Sequence, residues 1–201
     1  MNRGRLVVFE GIDGSGKSTQ LRLLAEALRA RGIEPVVTRE PTGGPFGQRI
    51  RAMARSGERV APEEELRWFL EDRREHVARV IEPGLAAGRV VLSDRYFLST
   101  VAYQGARGSD PELLLAQAEA EFPLPDLALV FAVAPATGLA RVAARGSAAE
   151  PAFEDLALLA RVAARFRSLD RPYLAHLDAS GDAASVHAAV LALVRQRIAL
   201  A

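Results

Sequence analysis

The stretch "LVVFEGIDGSGKSTQLRLLAEALRARG", residues 6–32, decides the fold. Leu6 to Glu10 is a short apolar run with the β-rich composition of a buried strand. From Ser18 onward leucine and alanine recur at helical spacing and stop at Gly32. Between strand and helix lies Gly11-x-x-x-x-Gly16-Lys17-Ser18, the phosphate-loop pattern in the context that makes it credible. Its glycines permit positive φ, so successive backbone N–H groups curl around phosphate oxygens at a helix N-terminus. The expected phosphate-binding set is Gly11, Ile12, Asp13, Gly14, Ser15, Gly16, Lys17, Ser18 and Thr19.

Lys17 is the only lysine among 26 basic residues, the others being arginine. A compact ammonium fits a cradle of phosphates as a point charge, whereas the planar guanidinium fork does not. The Ser18 hydroxyl is placed to enter an octahedral Mg²⁺ shell otherwise made of phosphate and water.

Working outward, "EPVVTRE" from Glu34 reads as a second strand and "GPFGQRIRAMARSG" as a short helix ending near Gly57. Pro62 opens a long helix with acids in its first turn, as the helix dipole favours. "RVVLSD" (89–94) and "DLALVFAV" (126–133) are apolar without strict alternation, as in strands buried on both faces. After Pro135, "ATGLARVAARG" is helical and "SAAEPAFED" interrupts it; "LALLARVAARFRSLDRPYLAHL" resumes the helical pattern. "ASGD" makes a turn before a closing helix. Strands alternating with helices imply right-handed βαβ units and a doubly wound three-layer sandwich.

Composition narrows the chemistry. The chain has 201 residues, 49% of them hydrophobic, enough for a sizeable core. Its net charge of +1, with signs interleaved, supplies no long-range field for nucleic acid or a membrane surface. Absence of cysteine excludes a disulfide framework, a thiolate metal site and a cysteine nucleophile. The N-terminal apolar run is too short for a signal peptide, and none elsewhere reaches the ~18 residues of a membrane span, so a cytoplasmic location is expected. The histidines, His76, His176 and His187, lack metal-ligand spacing.

A phosphate loop leaves the acceptor open, since the fold hosts kinases, GTPases and ATPases. A guanine-reading Asn-Lys-x-Asp cannot exist without a second lysine. "LSDRYFLSTVAYQG" begins at the expected carboxyl edge of the strand ending near 94, where ligands bind open α/β sheets. There Asp94 can hold a Mg²⁺ shell, and Arg95 can fork onto a phosphate. Another nucleotide kinase, or an ATP-binding switch acting through a partner, shares these features up to this point.

Taken together, "FEGIDGSGKSTQ", "TREPTGG", "FLEDRREHV", "DRYFLSTVAYQG" and "RPYLAHLDA" resemble the thymidylate kinase family over nearly the whole chain, in its order and spacing. The Asp-Arg-Tyr-x-x-Ser-x-x-Ala-Tyr-Gln run is that family's signature and is more specific than the phosphate loop. The resemblance implies one P-loop kinase domain over 1–201, with a three-layer α/β/α sandwich and a five-stranded parallel sheet of order 2-3-1-4-5. It also implies a short helical lid near 141–155, ATP as donor, dTMP as acceptor, Mg²⁺, and a homodimer.

By the same resemblance Phe69 stacks on thymine, Arg73 binds a base carbonyl, and Thr100 and Gln104 contact the base. Tyr103 crowds the 2′ position, Arg95 and Ser99 belong to the dTMP site, and Glu40 and Pro41 close the pocket. Asp13 and Glu10 approach the sugar or the metal shell, while Ser18 and Asp94 serve the metal. One methyl separates thymine from uracil, so preference for dTMP over dUMP is expected at ~1–3 kcal/mol rather than absolute.

Family members take a catalytic arginine from the phosphate loop or from the lid. Here the third variable loop position is Gly14, so the lid must supply it. The usual bacterial Asp-Arg-x-Glu is replaced by Ser147-Ala148-Ala149-Glu150, which leaves Arg145 and Arg141 as nearest candidates and Arg161 and Arg165 as fallbacks. Arg141 and Arg145 lie four apart, on one helix face.

Overall fold

The computed structural model describes residues 3–144, Phe153 and 155–198. Its strands are β1 (Arg5–Glu10), β2 (Val36–Arg39), β3 (Val90–Asp94), β4 (Leu127–Ala132) and β5 (Leu174–Asp178). They form a parallel sheet in the order β2-β3-β1-β4-β5, as the resemblance implies. The helices between them are α1 (Lys17–Arg29), α2 (Pro45–Ser56), α3 (Pro62–His76), α4 (Glu82–Ala86), α5 (Phe97–Gly105), α6 (Pro111–Glu121), α7 (Pro135–Ala144), α8 (Leu156–Ser168) and α9 (Ala183–Arg197).

Successive side chains of a strand point to opposite faces, and β1 divides its residues accordingly. Leu6 and Val8 join a core beneath α5 and α8, whereas Val7 and Phe9 join one beneath α1 and α9. Leu21, Leu24, Ala25 and Leu28 form the buried stripe of α1, at the spacing that its sequence shows. In α3, Pro62 occupies the first turn with Glu63, Glu64 and Glu65, and Arg73, Arg74 and His76 occupy the last, both matching the dipole. One π-helical turn, Val77–Ile81, carries α3 into α4, where sequence reading expects one continuous helix.

A second difference concerns 156–177, read as helical throughout. The helix α8 stops at Ser168, and Leu174–Asp178 pairs with β4, Ala128 opposite Leu174. Pro172, which has no N–H to donate, separates the two elements. Leu174 and Leu177 fit a helical stripe by spacing alone, and the pairing partner on β4 settles the matter. The helix α6, which no sequence reading anticipates, has a clear start in Asp110-Pro111: the Asp110 carboxylate accepts from Glu112 N and Leu113 N.

β1, β2 and β3 end together at the carboxyl edge. That edge carries the phosphate loop, Glu40–Pro41 and Asp94–Arg95.

Candidate active site

The phosphate loop turns through three glycines of positive φ, Gly11 (136°), Gly14 (75°) and Gly16 (98°). At Gly14 space is decisive as well as conformation: a Cβ there would lie 2.0 Å from the Gly138 carbonyl oxygen of α7. The loop thus sits against α7 with no room for a side chain at its third variable position. Lys17 is buried, and its ammonium donates to Ile12 O at 2.8 Å, with Asp13 Oδ1 at 4.0 Å. Burial lowers its pKa to about 8, with Arg95 adding to the shift and Asp13 opposing it. A desolvated cation of this kind is stabilised by incoming phosphate oxygens. Ser15 Oγ, in the same loop, is buried with no hydrogen-bond partner among the described residues, a polar atom that a bound phosphate would satisfy.

Ser18 Oγ donates to Asp94 Oδ2 at the mouth of the loop. A hydroxyl and a carboxylate side by side make a hard-oxygen pair suited to Mg²⁺ that keeps phosphate and water as its other ligands. No group of three acidic, histidine or cysteine side chains suited to caging a metal exists among the described residues.

Arg95 follows Asp94 in a left-handed conformation, φ 72°, unusual for a residue with a side chain. This turn aims the guanidinium back over the loop. Its Nη2 donates to Asp13 Oδ1 at 2.8 Å and its Nη1 to Ser99 Oγ at 3.0 Å, with Gly11 O at 3.4 Å. Burial works against that charge, but Asp13, Tyr103 and Asp94 outweigh it and hold Arg95 firmly protonated. Backbone cost of ~1–3 kcal/mol at a site that other contacts hold in place is the pattern of functional strain.

Glu10 lies fully buried beneath Arg95, accepting from Tyr96 N at 2.9 Å, Ser99 N at 3.3 Å and Ser99 Oγ at 2.5 Å. Burial raises its carboxyl pKa to about 7, against the lowering effect of Ser99, Arg95 and Arg73.

Beside the loop opens a cavity of about 240 Å³. Its walls include Asp13, Lys17, Ser18, Glu40, Pro41, Phe69, Arg73, Asp94, Arg95, Ser99, Thr100, Tyr103 and Gln104. The structure therefore brings the predicted acceptor residues onto one wall system with the lysine and the metal-competent pair.

Arg73 is 1% exposed. Its Nε and Nη2 donate to Glu40 Oε2 at 3.0 and 2.6 Å, and Nη2 also to Thr100 Oγ1 at 3.0 Å. Burial opposes ionisation of Glu40, but Arg73 and His76 overcome it and hold its pKa low. Arg73 Nη1 is buried and has no partner among the described residues. An N–H donor left in this state costs ~1–3 kcal/mol unless a ligand acceptor meets it. Tyr103 lies with its ring under Arg95 (5.4 Å) and its hydroxyl 3.5 Å from Asp13 Oδ2.

Arg39, Arg51 and Phe153 also line the cavity and escape sequence reading. Arg51 donates to Pro41 O at 2.8 Å; its signal was the arginine pair of "QRIRAM", which begins at Gln48, shortly after "TREPTGG". Phe153 meets Tyr103 edge-on, ring centroids 5.8 Å apart at 87°. Among the lid arginines, Arg141 donates to the carbonyls of Ala179 and Ser180, at 3.1 and 3.3 Å. Arg145 and most of the expected lid at 141–155 lie outside the described residues.

A buried lysine in a glycine cradle, a serine–aspartate pair and a base-sized cavity with a spare arginine donor define the class, a P-loop phosphotransferase acting on a small anionic acceptor. The thymidylate kinase family model matches residues 9–190. The chain is 42% identical over 200 residues to the thymidylate kinase of Desulfotalea psychrophila, covering 100% of this chain and 98% of that one. Similarity extends to the thymidylate kinases of Xanthomonas campestris pv. campestris (46% over 199 residues; 97% and 86% covered) and Xylella fastidiosa (47% over 191; 95% and 90%). The chain belongs to the thymidylate kinase family.

Proposed function

We propose that the chain, as one P-loop kinase domain, transfers the γ-phosphoryl group of ATP to a 5′-phosphate oxygen of dTMP, giving dTDP and ADP. The observation that carries this reading is the cavity itself, whose walls bring Arg95 and Arg73, the latter with Nη1 unpartnered among the described residues, together with Lys17 and Ser18 of the phosphate loop. Mg²⁺, held by Ser18 and Asp94 together with the phosphates, would neutralise charge on the transferring group. Lys17 binds the β- and γ-phosphate oxygens, and backbone N–H groups of 11–19 surround them. Arg95 turns from Asp13 onto the dTMP phosphate, Phe69 stacks on the base, and Arg73 donates to a base carbonyl. The acceptor phosphate is already ionised near neutral pH, so positioning rather than a strong general base carries the rate.

An arginine in or just after α7 completes charge neutralisation, a contribution of ~10³–10⁵ in rate. Arg145 is the first candidate and Arg141 the second. No described helix is long and apolar enough to cross a membrane, and assembly as a homodimer follows the family pattern. The test is a coupled assay of ADP release with each nucleoside monophosphate in turn. A preference for dTMP over dUMP of the ~1–3 kcal/mol that one methyl supplies, and turnover with dTMP far above dCMP, are expected; activity with dCMP or a free nucleoside but not dTMP would overturn the reading.

A further inference from the structure

We infer that Glu65 sets the base specificity of the acceptor cavity by holding the Gln104 side-chain amide in a single orientation. Glu65 stands in the first turn of α3, yet it is 0% exposed. Three donors converge on its two oxygens. Gln104 Nε2 donates to Oε1 at 2.9 Å, Arg107 Nη1 to Oε1 at 2.7 Å, and Arg59 Nη2 to Oε2. A carboxylate between two guanidinium groups only accepts, so the Gln104 group facing it must be the NH₂. The ambiguity between amide oxygen and nitrogen is thereby removed by chemistry rather than by assignment.

With its nitrogen committed to Glu65, Gln104 has its carbonyl oxygen left, and this oxygen accepts no hydrogen bond among the described residues. Gln104 is 1% exposed and lines the cavity, whose wall also includes Arg73, with Nη1 unpartnered among the described residues. On the reading that Arg73 donates to a base carbonyl, the wall offers one acceptor and one donor to a base edge. Thymine presents a complementary N3–H donor and O4 acceptor; cytosine presents an N3 acceptor and an N4 amino donor. A site whose buried polar groups match one edge leaves them unpaired against the other, which is the strong form of discrimination. Glu65 is thus a positioning residue acting through Gln104, and Arg59 and Arg107 fix its carboxylate from the other side.

This inference rests on reading the cavity as the dTMP site. The test compares kcat/KM for dTMP and dCMP in the full-length wild type and in Glu65→Gln, with the KM for ATP measured in both. Glutamine at 65 can turn either a donor or an acceptor to Gln104, so both amide orientations become populated. The dTMP:dCMP ratio should fall at least about tenfold through a rise in the KM for dTMP, with the KM for ATP unchanged. A general loss of structure would depress both substrates and the ATP site together, and an unchanged ratio in a folded E65Q would overturn the inference. Wild type inactive on dTMP would instead overturn the reading of the site. Should E65Q fail to fold, Glu65→Asp decides: one methylene shorter, its carboxylate loses its reach to Gln104 while keeping its charge, and the dTMP:dCMP ratio should fall in the same way with the KM for ATP unchanged. An unchanged ratio in a folded E65D would overturn the inference.

Discussion

At the scale of single residues, burial is what gives the charged groups their chemistry. Lys17 keeps a compact charge in a loop with a carbonyl already at 2.8 Å. A guanidinium cannot enter that geometry, so Lys17→Arg should lower kcat by about two to three orders of magnitude, ~3–4 kcal/mol in the barrier. Affinity for dTMP, measured by titration without ATP, should be unchanged. Glu10 supplies a pH dependence. Its folded pKa of about 7 lies above the ordinary 4.5, so its protonated form contributes stability that is fully present below 4.5 and is lost as pH rises to 7. The unliganded protein should therefore lose stability to urea across that window, and Glu10→Gln should flatten this part of the profile. A wild-type profile rising from pH 4.5 to 7, with the same rise in E10Q, would contradict the assignment. The singular lysine made its own role legible in the sequence. Glu65 had no such signal, because in "EEEL" it reads like Glu63 and Glu64, which are exposed and complement the helix dipole.

At the scale of elements, the seat of the phosphate loop on α7 is the closest fit. A Cβ at Gly138 would lie 2.6 Å from Asp13 O and 3.2 Å from Ile12 Cδ1. Gly138→Ala must push the loop outward, an overpacking cost of about 1–3 kcal/mol. The expected result is a melting temperature lower by about 2–10 °C together with a raised KM for ATP and little change in the KM for dTMP. Equal rises in both would mean that the strain spreads beyond the loop. The pattern of the first strand–turn–helix was readable because its buried stripe and its glycines are contiguous. β5 was not readable, because "LAHL" carries leucines at a spacing shared by a helix face and a short buried strand. Only the ladder to Ala128–Ala132 distinguishes them.

On the scale of the whole molecule, the cavity beside the phosphate loop joins parts of the chain far apart in sequence: Glu40 after β2, Arg73 on α3, Thr100 and Gln104 on α5, and Phe153. A ligand bridging them favours the folded state by mass action. At 100 times its dissociation constant dTMP should add about 2.7 kcal/mol, a rise in melting temperature of about 5–10 °C for a chain of this size. A thermal-shift series lacking that rise would remove dTMP as the cavity's ligand. The sequence by itself determined the phosphate loop, the strand–helix alternation and the family signature from Asp94 to Gln104. Each of these is written in neighbouring residues, through periodicity, glycine conformation and contiguous spacing. Only the tertiary structure decided that Arg73 grips Glu40 with one donor to spare, and that Glu65 is buried against Gln104 and Arg107. Those partners lie 33, 39 and 42 positions apart, and loss of water from a charged group depends on what packs against it, which no local pattern encodes.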